Sequence, residues 1–170
     1  MTRIYRVRVG RPLPSVDHEL IRAFWQRCRS AGAVAPETPA PQVVNAFGDH
    51  AELADKLIVL VLDGTKRATA GAVADFDHDG EAYPTVGTRW IATDGASRPR
   101  AVLRTTNVRI GPLSSVDDSF AWDEGEGDRT RASWLDGHTR FFSRYLPTIG
   151  VEFHPDIEVV FERFAVDYQE

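Results

Sequence analysis

The stretch DGTKRATAG, residues 63–71, decides how this chain is read. An apolar helical run ends at Gly64, and a lysine and a threonine follow, three residues apart, among alanines and glycines. Two readings stay open from the residues alone. In the first, Lys66 complements the carbonyl end of the preceding helix and Thr69 is an ordinary strand residue. In the second, Lys66 and Thr69 are a catalytic pair, and the small neighbours let a ligand approach the backbone. A threonine hydroxyl is a poor nucleophile until a base takes its proton. Lysine is such a base only when desolvation or nearby positive charge lowers its pKa. Residues three apart in a strand point to opposite faces, so the pair needs a turn at 64–67, which Gly64 permits.

Working outward, DHAELADKLIVLVLDG (49–64) predicts the helix that leads into this stretch. Asp49 and Glu52 have capping-box spacing, Leu53, Leu57, Leu60 and Val61 make an apolar stripe, and Gly64 suits the position after the helix. Upstream, APETPAPQ (35–42) is a proline-rich connector, preceded by an amphipathic helix over 15–32 carrying Leu20, Ile21, Phe24, Trp25 and Cys28. IYRVRV (4–9) alternates as a half-buried strand does. Downstream the pattern predicts a strand over 67–76, a polar turn at 77–81, and strands over 88–93 and 100–110. A short helix near 115–124 follows, then a long one from Asp128 to about Leu146 and a closing strand over 157–168. The long helix puts Trp134, His138, Phe141, Phe142 and Tyr145 on one face. Strands joined mostly by turns, with helices inserted among them, predict an α+β fold.

A second unusual stretch is WDEGEGDRTRASW (122–134), in which Glu124, Glu126 and Asp128 alternate with glycines. It could supply a general acid of raised pKa or a cation site. It could equally be a solvated acidic loop with Asp128 capping the next helix. DFDHDGE (75–81) matches the opening of a calcium loop, but its twelfth position is Val86, so a hairpin turn is expected. The five histidines lack metal-ligand spacing, and His138 is expected in the core or at a pocket edge. No nucleotide-binding glycine loop or hydrolase elbow occurs, and Cys28 is the only cysteine. No metal and no cofactor are therefore expected.

The net charge of −5 argues against a generic nucleic-acid coating protein. No apolar run is long enough for a membrane span, and the first residues lack a signal-peptide core. The expectation is a cytoplasmic enzyme or binding domain.

Taken together, residues 47–71, YPTVGTRW (83–90), RAVLRTTNVRI (100–110), EGEGDRTRASW (124–134) and VVFERFAVDY (159–168) resemble the ASCH family of the PUA-like superfamily. The resemblance implies a small, partly open β-barrel with flanking helices over 47–170. Residues 1–46 would then be an N-terminal strand-and-helix extension packed on that core. It also implies a cleft lined by the G-x-K-x-x-T segment and an association with RNA. Family members include RNA-binding modules, ribonucleases and hydrolases of N4-acetylcytidine. By that resemblance Lys66 is the base, Thr69 the nucleophile, and Glu126 or Glu124 the acid. Gly64, Arg67, Trp90, Arg104, Asp128 and Trp134 would contact an RNA or a modified pyrimidine nucleoside.

Overall fold

Asp17 opens the first described helix, α1 (His18–Ser30), by accepting the backbone N–H groups of Glu19 and Leu20. The structure, a computed structural model, describes residues 11–170. The strand expected at 4–9 lies outside the described residues. After α1 come β1 (Val44–Ala46), α2 (Ala51–Leu62), β2 (Ala68–Ala72), α3 (Val73–Asp79), β3 (Arg89–Thr93) and β4 (Pro99–Pro112). The chain then runs through α4 (Asp118–Glu124), α5 (Arg131–Tyr145) and β5 (Glu158–Gln169). The five strands hydrogen-bond in the order β1-β3-β4-β5-β2. The chain divides into two compact units, and both β4 and β5 contribute residues to each.

One unit holds the described residues up to Asp63, with Thr88–Arg104 and Ala165–Glu170. Its core is the apolar face of α1, where Ile21, Phe24, Trp25 and Cys28 pack with Val34, Ile91 and Val102. Leu20, expected on that face, is 45% exposed. β1 runs parallel to β3, and β3 antiparallel to β4 with a register shift at Ala92/Thr93. The capping box expected at Asp49 is not formed. His50 occupies the cap position of α2, and Glu52 accepts the Arg11 backbone N–H instead. The buried stripe is Ala54, Leu57, Ile58 and Val61, with Leu53 and Leu60 at its margins.

The other unit holds Gly64–Gly87 and Thr105–Phe164. β2 pairs antiparallel with β5, placing Thr69 opposite Glu162. Phe161 anchors α4 and α5, its ring edge-on to Phe120 at 5.0 Å and nearly parallel to Trp134 at 6.0 Å. Burying such aromatic side chains stabilises the unit by roughly 2–3 kcal/mol each. The strand expected over 67–76 is shorter and ends at Ala72. Residues 73–79 turn into α3, which Gly80 closes in the left-handed conformation (φ 65°). The cause is tertiary. Asp75 is buried and accepts a hydrogen bond from the Tyr145 hydroxyl, and Phe76 lies over Gly71. The acidic run is therefore a helix and its cap, not a hairpin turn. At α5 the cap is Thr130, which accepts the Ser133 N–H, rather than Asp128.

Candidate active site

Gly64 follows α2 with φ 94°, and residues 65–67 then run as irregular chain into β2. That break in regular structure turns the Lys66 side chain toward the end of α4. The two segments are fastened by backbone. The Arg67 N–H donates to the Asp123 carbonyl at 2.6 Å, and Gly125 abuts Thr65 and Lys66. Gly125 (φ 72°) ends α4 and hands the chain to Glu126.

Lys66 is 1% exposed. Its ammonium donates to Glu124 Oε2 at 2.6 Å, to Glu126 Oε1 at 2.6 Å, and to the Glu124 carbonyl at 3.4 Å. Burial alone would lower the Lys66 pKa, but the two carboxylates outweigh it and raise it above the usual lysine value. Lys66 is therefore a cation here. Glu124, 1% exposed, has its pKa pushed up to about 7. Burial is the largest cause, Lys66 opposes it, and the negative Glu126 adds to it. Glu126 keeps its side chain 35% exposed. Burial would raise its pKa, but the charge and hydrogen bond of Lys66 hold it below the usual carboxylate value. A buried ammonium thus sits between a fixed anion and a carboxyl that protonates near neutral pH, a combination frequent at acid–base sites.

His138 on α5 completes the cluster. Its Nε2 is 3.6 Å from Glu124 Oε1, and its ring stacks on Trp134 at 3.7 Å. Burial pulls its pKa down to about 4, against the opposing Glu126 charge and Trp134 carbonyl.

Other residues named from the sequence have partners of their own. Arg67 donates to the Lys66 carbonyl at 2.8 Å. Asp128 accepts the backbone N–H and hydroxyl of Thr130. Trp134 is buried among His138, Phe120 and Phe161. Trp90 and Arg104 belong to the first unit, where Trp90 packs on Phe47 at 5.3 Å and Arg104 pairs with Asp167 at 3.1 Å. Thr69, half-buried, shares a sheet face with its cross-strand partner Glu162. Glu162 is 8% exposed and accepts the Thr105 hydroxyl at 2.6 Å. Sequence reasoning missed Glu162; its signal was a lone acid inside the apolar run VVFERF. Among the described residues, no group of three or more His, Cys, Asp and Glu side chains is arranged to hold a metal ion.

The ASCH domain family model matches residues 43–168, and with it the whole Lys66–Glu124–Glu126–His138 cluster. The chain belongs to the ASCH domain family. A crystallographically solved protein of Enterococcus faecalis V583 is similar at 34% identity. That similarity covers 87% of this chain and 88% of the other, with a TM-score of 0.78. An ASCH domain from Lactobacillus crispatus JV V101 is 29% identical over 91% of this chain and 98% of its own, with a TM-score of 0.81. No curated protein matches. The α+β class and PUA-like fold expected from the sequence hold for this ASCH chain. Among its described residues, no helix is long and apolar enough to cross a membrane.

The Glu124 shift fixes how the stability of the ASCH domain should depend on pH. A carboxyl whose pKa rises from 4.5 to about 7 on folding favours the folded state below pH 4.5 and loses that contribution as pH rises through 7. Glu124→Gln keeps a neutral side chain at every pH. It is therefore expected to be costliest relative to the parent below pH 4.5, and progressively less costly toward pH 8. Parallel thermal melts at pH 4.5, 6 and 8 measure this, and a pH-independent gap would contradict the assignment.

Proposed function

We propose that this ASCH protein is a hydrolase that cleaves the acyl amide of a modified pyrimidine nucleoside at the Lys66–Glu124–Glu126 cluster. The observation that carries the reading is the buried ammonium beside a carboxyl poised to exchange a proton near pH 7. Because Lys66 is held as a cation, its role in this reading is to stabilise the developing negative charge on the acyl oxygen. Glu124 delivers a proton to the departing nitrogen. Glu126 holds Lys66 in place and takes the proton that Thr69 loses as its hydroxyl attacks the acyl carbon. Water then hydrolyses the threonine ester, returning a proton to Glu124 while Glu126 gives its proton back to Thr69. The pyrimidine nucleoside itself comes from the family resemblance.

A hydrolysis screen of acylated cytidines tests this. Lys66→Ala and Glu124→Gln are each expected to lower kcat/KM at least 100-fold, a loss typical of a removed proton donor or oxyanion contact. Thr69→Ala is expected to lose activity as well. Full turnover by Lys66→Ala and Glu124→Gln would end the reading. Full turnover by Thr69→Ala alone would transfer the attack to water.

One observation favours a second reading, non-catalytic binding of RNA or a nucleotide. Trp122 is 57% exposed and carries the Arg129 guanidinium 3.7 Å from its ring, a surface on which a base can stack. It predicts salt-sensitive RNA binding weakened by Trp122→Ala, with no turnover of any acylated nucleoside.

A further inference from the structure

Glu124 and His138 present bare acceptors to one another. His138 Nδ1 lies 3.0 Å from the Trp134 carbonyl oxygen, one helical turn back along α5. A carbonyl only accepts, so Nδ1 carries the hydrogen, and in a neutral imidazole Nε2 is then a lone pair. Nε2 faces Glu124 Oε1 at 3.6 Å. Oε1 is buried with no hydrogen-bond partner, while Oε2 takes a hydrogen from Lys66. Two acceptors facing each other away from water repel unless a proton stands between them.

We propose that Glu124 carries its proton on Oε1 in the resting protein, and that His138 Nε2 is the acceptor that holds it there. His138 is thereby a positioning residue for the acid. At 3.6 Å the pair is longer than a formed hydrogen bond. The terminal torsion of a glutamate is broad, so a small rotation of the carboxyl closes the gap. The imidazole is held in place by its stack on Trp134. The charge count agrees. With Glu124 neutral, one cation, Lys66, meets one anion, Glu126, and no net charge is buried. The titratable groups facing His138 are the Glu124 carboxyl from α4, Glu126 from the loop after it, and Lys66 from the chain before β2, of which Glu126 and Lys66 act on it as charges. Of these, Glu126 favours protonation of the ring, while Lys66 and burial oppose it more strongly. The elevated Glu124 pKa and the depressed His138 pKa place the proton on the carboxyl.

The location of this proton does not depend on the substrate. Its catalytic consequence rests on the hydrolase reading: the Oε1 proton passes to the leaving nitrogen, and Glu124 recovers one from water. The deciding measurement is nuclear magnetic resonance of the full chain, with labelled histidine ring nitrogens and glutamate carboxyl carbons, from pH 5 to pH 8. His138 is expected to stay neutral with its hydrogen on Nδ1, and the Glu124 carboxyl to titrate near pH 7. An imidazolium at pH 6, a hydrogen on Nε2, or a Glu124 carboxylate already ionised at pH 5 would each overturn the proposal. Two variants repeat the test. Glu124→Gln puts an N–H where the proton was and is expected to leave the His138 Nε2 resonance near its parent value. Glu124→Leu is expected to move it toward that of a free lone pair, and no difference between the two would also overturn the proposal. Turnover enters none of these readouts, so failure of the acylated-cytidine screen would remove the hydrolase reading and leave the proton site standing.

Discussion

Lys66→Met is expected to destabilise the protein by about 3 kcal/mol at pH 7, because it removes the cation from a buried ion cluster and leaves the acids without it. Methionine fills most of the volume of the lysine stem, so the loss reports charge rather than a cavity. Glu124, 1% exposed and already carrying its proton, becomes still harder to ionise and takes little of the penalty. Glu126, the anion that Lys66 neutralises, takes most of it, and with 35% of its side chain exposed it recovers only part of that by hydration. Adding Glu126→Gln to Lys66→Met is therefore expected to restore most of the loss, and adding Glu124→Gln to restore less. Urea unfolding of the two double variants measures the difference. A loss below about 1 kcal/mol for Lys66→Met would mean that the cluster is hydrated and that the acid–base reading has lost its dry site.

What the sequence reveals here follows the range of the interactions involved. The face of α1 that buries Phe24, Trp25 and Cys28, and the glycine that ends α2, are local features and were legible as such. The helix at 73–79 was not, because its cause is Tyr145, 70 residues away, whose hydroxyl donates to the buried Asp75. The two helix caps were displaced for a smaller reason. Asp49 and Asp128 both have the right chemistry, but Asp49 hydrogen-bonds His50 and Asp128 orders Thr130. At the candidate site, the sequence picked out Lys66 and the E-G-E-G run separately. That they meet is a contact across 58 residues that only the fold supplies.

The small residues around Thr69 change meaning once the fold is known. In the sequence they suggest room for a ligand. In the structure Ala68 and Ala72 are buried, and Gly71 lies under Phe76, which a Cβ there would approach to 3.0 Å. They make room for the protein itself. The features that mark a site lie one step away, at the irregular 65–67 segment and the glycine-spaced carboxylates that meet it.

That meeting depends on one glycine, and Gly125→Ala is expected to cost about 3 kcal/mol or more. Two effects add. The residue has φ 72°, where an L side chain costs about 1–2 kcal/mol. A Cβ would also stand 2.5 Å from the Thr65 oxygen, 2.8 Å from its carbonyl carbon and 3.0 Å from the Lys66 nitrogen. All three are backbone atoms and cannot swing aside, so the 65–67 segment must move away from α4, carrying Lys66 off Glu124. Gly127→Ala is the control. Its φ of 58° imposes the same conformational strain, but the nearest atom to its Cβ is the Ser133 hydroxyl oxygen at 3.0 Å, which rotates. Gly127→Ala is expected to cost about 1–2 kcal/mol and to leave the Glu124 titration where it was. Gly125→Ala should lose about 2 kcal/mol more in urea unfolding and shift the Glu124 midpoint away from 7. If both variants cost the same and Glu124 titrates unchanged in each, Gly125 serves only the turn. The close approach of α4 to Lys66 would then not be what tunes the acid.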